Sequence, residues 1–129
     1  HMFVAHVSTS LGEVYARQGR LEEAVRMHKL ALRVYRRASE GDSAEVAVAL
    51  SDLGSVLRLQ GLHDRAMERL EEAYEMFRRL YGDDHADVGG VLTNMALVLR
   101  DQGRIAEALP MLEKALDIAR RTQGSDHDN

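Results

Sequence analysis

The chain has 129 residues, enough for one domain, and 45% hydrophobic with 29% charged residues is the composition of a folded chain and excludes wholesale disorder. A formal net charge of −4 speaks against nucleic acid as a partner, since a nucleic-acid surface needs a strongly basic face. The absence of cysteine excludes disulfides and thiolate zinc sites, and no apolar run reaches the roughly 18 residues of a membrane span, so a cytoplasmic chain with no membrane segment or secretory signal is expected.

One proline and 5% aromatic residues suit long helices better than a sheet. The chain is built from rows of 42 residues, which begin at Val4, Val46 and Val88 and align without a gap. Nine columns are identical in all three rows, where unrelated rows would share about one or none. They include Val14, Val56 and Val98, the Gln-Gly pairs ending at Gly19, Gly61 and Gly103, and Ala24, Ala66 and Ala108. Ala31, Ala73 and Ala115 recur as well, as do the Arg-Arg pairs starting at Arg36, Arg78 and Arg120, and Asp42, Asp84 and Asp126.

In chain order, each row divides at its glycine into two amphipathic helices. The first row runs to Gly19, where only glycine takes the left-handed C-terminal turn without steric cost, and continues through Ala24 and Ala31 to the Arg36-Arg37 pair. That pair suits the negative end of a helix dipole, with a basic recognition patch as the alternative. Asp42 with Glu45, and Asp84 with Asp87, have capping-box spacing and are expected to open the next helices. In the second row Val46, Leu50, Leu53 and Leu57 recur at helical spacing before the turn, and Ala66, Leu70, Ala73 and Phe77 after it. The alanine columns should let helix pairs approach closely. In the third row Pro110 falls just past the first turn of the sixth helix, where it should bend the helix mildly without breaking it.

Gly12, Tyr15, Gly19, Leu21, Ala24, Ala31 and Leu32, with Leu53-Gly54, Leu57, Gly61, Ala66 and Ala73 in the second row and Met95-Ala96, Leu99, Gly103, Ala108 and Ala115 in the third, resemble the tetratricopeptide repeat (TPR). The 42-residue period and the linkers Gly82-Asp83-Asp84-His85 and Gly124-Ser125-Asp126-His127 are similar to the kinesin light chain variety. The first linker, Glu40-Gly41-Asp42-Ser43, lacks the histidine, and Ala44 and Ala86 stand where that variety commonly has proline. The resemblance implies an all-α fold, a right-handed α-solenoid of three helix-turn-helix hairpins with six antiparallel helices. Residues 1–123 would form one domain of repeats 4–45, 46–87 and 88–123, and 124–129 would open a truncated fourth repeat, as in a piece of a longer array.

The resemblance also implies a protein-interaction module that holds a peptide or partner protein along the concave face of the first helices. By the family's register that face carries Thr9, Glu13 and Arg17, then Ser51, Ser55 and Arg58, then Thr93, Asn94, Leu97 and Arg100. Asn94 alone matches the asparagine that can hold a peptide backbone in the family's Leu-Asn-Asn-Leu-Ala segment. The arginines near the ends of the first helices would suit an acidic or C-terminal peptide through their planar donor forks; alternatively they serve the helix ends and pair with Glu13 or Asp101. The family's lysine clamp for two carboxylates is absent, because Lys29 and Lys114 fall on second helices.

No cofactor, metal or catalytic site is expected. There is no Walker loop, dinucleotide fingerprint or nucleophile elbow, and His85 among Asp83, Asp84 and Asp87 is read as linker and cap rather than as a metal ligand. Solenoid ends need polar caps, so Leu109, Leu112 and Leu116 are expected to be partly exposed. That gives an alternative function, a structural spacer that forms homo-oligomers through its uncapped ends.

Overall fold

The computed structural model describes residues 2–123, which form six α-helices: α1 (Met2–Arg17), α2 (Leu21–Ala38), α3 (Ala44–Leu59), α4 (His63–Tyr81), α5 (Ala86–Asp101) and α6 (Ile105–Thr122). Consecutive helices pack as the hairpins α1–α2, α3–α4 and α5–α6, and α2 lies on α3 as α4 lies on α5. This is the expected right-handed α-solenoid of antiparallel helices. The proposed fourth-repeat opening, with Asp126 and His127, lies outside the described residues.

The glycine of each Gln-Gly pair closes a first helix. Gly19, Gly61 and Gly103 have φ of 78°, 80° and 77°, and each turn carries the same pair of backbone bonds, Gly19 N–H donating to Ala16 and Arg20 N–H to Tyr15 in the first. These two bonds satisfy carbonyls that the helix end leaves open, the pattern of a Schellman turn.

The expected acidic caps are corrected. Helices α3 and α5 start at Ala44 and Ala86, so the capping residues are Ser43, whose Oγ accepts from Val46 N–H at 3.1 Å, and His85, whose Nδ1 accepts from Asp87 N–H at 3.0 Å. Asp42 stands one position earlier and takes the Arg79 guanidinium in a bidentate pair of 2.7 and 3.0 Å, and Asp84 meets Arg121 at 2.9 Å. At Asp42 two charge-assisted bonds outweigh one bond to an amide, which explains why this aspartate leaves the cap to the next residue. The identical aspartate and arginine columns are thus one device: the linker that closes one row is tied to the last turn of the next row's second helix. The arginine pairs do lie in the last turns of α2, α4 and α6. The His85 ring also stacks on Tyr81 at 4.1 Å, which accounts for a histidine in this linker.

The core follows the columns. Ala24, Ala66 and Ala108, and Ala31, Ala73 and Ala115, are buried between paired helices. A Cβ on Gly54 would lie 2.7 Å from Leu70 Cγ, so the glycine lets α4 close onto α3. Gly12 plays the same part against His28, which fills the column of Leu70. His28 is buried with no hydrogen-bond partner for Nδ1, and burial pushes its pKa below the usual value although Glu13 acts against the shift. Pro110 sits inside α6 without ending it.

Rows differ in what covers them. Val56 and Val98 are 4% and 0% exposed, whereas Val14 in the same column is 52% exposed. At the other end Leu112 is 41% exposed where Leu70 is fully buried, and Leu109 and Leu116 are open as expected. The open ridge of α1, formed by Val4, Val7, Leu11 and Val14, has no counterpart among the sequence expectations.

Candidate partner-binding face

The first helices share one side of the array, and contacts between rows bring their polar residues together in a repeating way. Each row offers a hydroxyl residue, Thr9, Ser51 or Thr93, beside the next position, Ser10, Asp52 or Asn94. Across the second seam, Asn94 Nδ2 donates to Ser51 Oγ at 3.4 Å. Across the first seam, Thr9 and Asp52 line a recess of about 250 Å³ with Tyr35, Glu45 and Val48. The recess has an apolar floor and hydroxyl and carboxylate walls, the usual make-up of a small recognition pocket. Thr9 Oγ1 donates to the Ala5 carbonyl at 3.0 Å, and the pKa of the Tyr35 phenol beside it is raised mainly by burial.

Asp52 is the feature that the sequence reading passed over. Burial, reinforced by Glu13, pushes its carboxyl up to about 6, and no cation pairs with it among the described residues. It stands in the column of Asn94 within Leu50-Ser51-Asp52-Leu53-Gly54, so the near-isosteric replacement of asparagine by aspartate was the available signal.

The arginines behave differently from one another. Arg58 is held by Asp101 of the next row at 2.9 Å, and Arg100 reaches the same carboxylate at 3.3 Å. Asp101 is therefore kept below the usual carboxylate range, first by its bond to Arg58. Arg17, exposed in the last turn of α1, has no ion pair among the described residues. The pairing expected as the alternative is thus formed at two of the three arginines.

Glu13 is exposed and acts on both Asp52 and His28. Ser55 and Leu97, in its column, are partly exposed. Thr93 is exposed and bonds back to the Gly89 carbonyl at 3.0 Å. Among the described residues no group of three or more His, Asp or Glu is placed to hold a metal ion, and no helix is long and apolar enough to cross a membrane.

Two family profiles, both described as tetratricopeptide repeat, match residues 3–79 and 88–129. The chain belongs to the tetratricopeptide repeat family. Tetratricopeptide repeats generally mediate protein–protein interaction.

Among solved structures, BtubC (BKLC) from P. vanneervenii matches with a TM-score of 0.82 at 27% identity, over 91% of this chain and 46% of that one. A Podosopora anserina putative kinesin light chain with nearly identical TPR-like repeats matches at 0.78 and 19% identity, over 95% of this chain and 58% of that one. A variant of the latter reaches 0.81. The kinesin-light-chain-like variety read from the 42-residue row is therefore the variety of its structural neighbours. This chain spans about half the length of those structures. No curated protein matches it.

Proposed function

We propose that this chain is a non-catalytic binding module that holds an extended segment of a partner protein along its first-helix face, within a larger scaffold or regulatory protein. The single observation that carries the reading is Asp52: a carboxylate half-withdrawn from water, beside Glu13, at the rim of an apolar-floored recess and with no cation of its own. A basic side chain of the partner would supply the missing charge. The hydroxyl–amide pair at Ser51 and Asn94 offers the segment's backbone a donor and an acceptor in the next row. An acidic group of the partner would meet Arg17 and the exposed side of Arg100, since Arg58 is already held by Asp101. The rows 4–45, 46–87 and 88–123 act in this reading as one domain, residues 1–123.

A library of random peptides panned on the chain, with the selected peptides mapped by amide chemical shifts, tests this. Perturbations at Thr9, Ser51, Asp52 and Asn94, and loss of binding in Asp52→Asn with helicity intact, are the expected results. Selected peptides that shift only α2, α4 and α6 would contradict it. Charge reversal at Arg17 and Arg100 should weaken binding of the acidic members of the set.

A further inference from the structure

The two ends of the array are complementary to each other. On α1, Val4, Val7, Leu11 and Val14 are 39–52% exposed, yet the residues of the same columns on α3 and α5 are at most 5% exposed because α2 and α4 lie over them. On α6, Leu109, Leu112 and Leu116 are 41–55% exposed, while Leu32 and Leu70 in two of these columns are buried by the row that follows. The open ridge of α1 is thus shaped to receive a helix like α2 or α4, and α6 presents the side by which such a helix docks. We propose that two copies of this chain join head to tail, with α6 of one seated on α1 of the next, through a seam that continues the α2–α3 and α4–α5 packing. The interface is heterologous, so it leaves one free end of each kind and does not close.

Three contacts of the internal seams have counterparts at such a junction, whereas the Arg36–Glu72 ion pair is lost, because Arg120 would meet Leu30. The Asn94–Ser51 bond becomes Ser10 of the second copy against Thr93 of the first, which conserves a hydrogen bond. The contact of Lys114 with Tyr74 becomes Leu30 against Leu116, which adds apolar area. The Arg58–Asp101 ion pair becomes Arg17 against Arg100, two like charges, because Arg17 stands in the column of Asp101. Apolar burial therefore drives the association and the arginine encounter opposes it. The two act differently with salt, which screens the repulsion and leaves the apolar term.

Sedimentation of the full chain over a range of concentration and salt tests this independently of any partner. Association of the unaltered chain should tighten with added salt, and Arg17→Asp should tighten it about threefold to tenfold at low salt by restoring the pairing seen at Asp101. Val14→Glu blocks the α1 face and Leu116→Glu the α6 face; both sites are exposed, so circular dichroism should show unchanged helicity. Each variant alone should be monomeric, and an equimolar mixture should form a dimer, since one copy keeps an intact α6 and the other an intact α1. Monomers of both the unaltered chain and Arg17→Asp at high micromolar concentration would overturn the proposal. So would association of either blocked variant by itself, or a mixture that stays monomeric while the unaltered chain associates.

Discussion

Val56 on α3 and Val14 on α1 occupy the same column of the repeat, each with its own hairpin partner (α4 and α2), and differ in that α2 also covers Val56 while nothing among the described residues covers Val14. The difference teaches that a residue's contribution here depends on the row beside it as much as on its own row. In a solenoid, stability is the sum of row terms and nearest-neighbour seams, and among the described residues the middle hairpin has two seams and each outer hairpin one.

The largest expected departure uses one column. Leu70→Ala opens a cavity against Gly54 and should cost about 2–5 kcal/mol, whereas Leu112→Ala, in the same column at the open end, should stay within about 0.5 kcal/mol. Urea denaturation of the two variants measures both, and equal losses would break the comparison.

His28→Leu gives the first row the residue of the other two and removes a buried, partly unsatisfied ring, so a gain of about 1–2 kcal/mol is expected. Because burial depresses the pKa of His28 in the folded chain, its neutral form is the one the fold accepts. The stability tied to that neutrality is complete above the ordinary value of 6.5 and is lost as the pH falls below it. Denaturation at pH 7 and pH 5 should show a smaller acid loss in the leucine variant.

Asp52 works in the opposite sense in the same range. Its folded pKa, raised from 3.8 to about 6, means that the fold favours the protonated carboxyl, so its penalty grows as pH rises through that window and is constant above it. Asp52→Asn should gain about 1–2 kcal/mol at pH 7 after allowance for solvent screening, and nothing near pH 4. A gain that is equal at both pH values would show that the carboxylate is not desolvated. If it also abolished peptide binding, stability would be seen to be exchanged for recognition at this residue.

The staple between Arg79 and Asp42 should have the smallest effect. Both side chains are surface groups, and Arg79→Ala should leave the row folded while returning the Asp42 carboxyl toward its ordinary pKa, which NMR titration would read.

Much of the fold was legible because the repeat prints it many times over. Glycine stops, alanine columns and apolar spacing each recur in every row, and each has a local physical cause. The caps were misread because capping-box spacing is a local pattern, and Asp42 is claimed by Arg79, 37 residues away, an interaction that spacing within one turn does not display. The site was legible only in part. Asn94 matched a known segment, but Asp52 gains its character from burial against α1 and α2, which no single row encodes. The openness of α6 could be foreseen from its leucines, yet the ridge on α1 repeats buried columns so faithfully that its sequence looks like core.

Native-state amide hydrogen exchange tests most directly whether neighbouring rows decide stability. The account predicts that protection is greatest in α3 and α4, lower in α2 and α5, and lowest in α1 and α6, with the order preserved in the monomeric Val14→Glu and Leu116→Glu variants. Equal protection in all six helices of those monomers would contradict it.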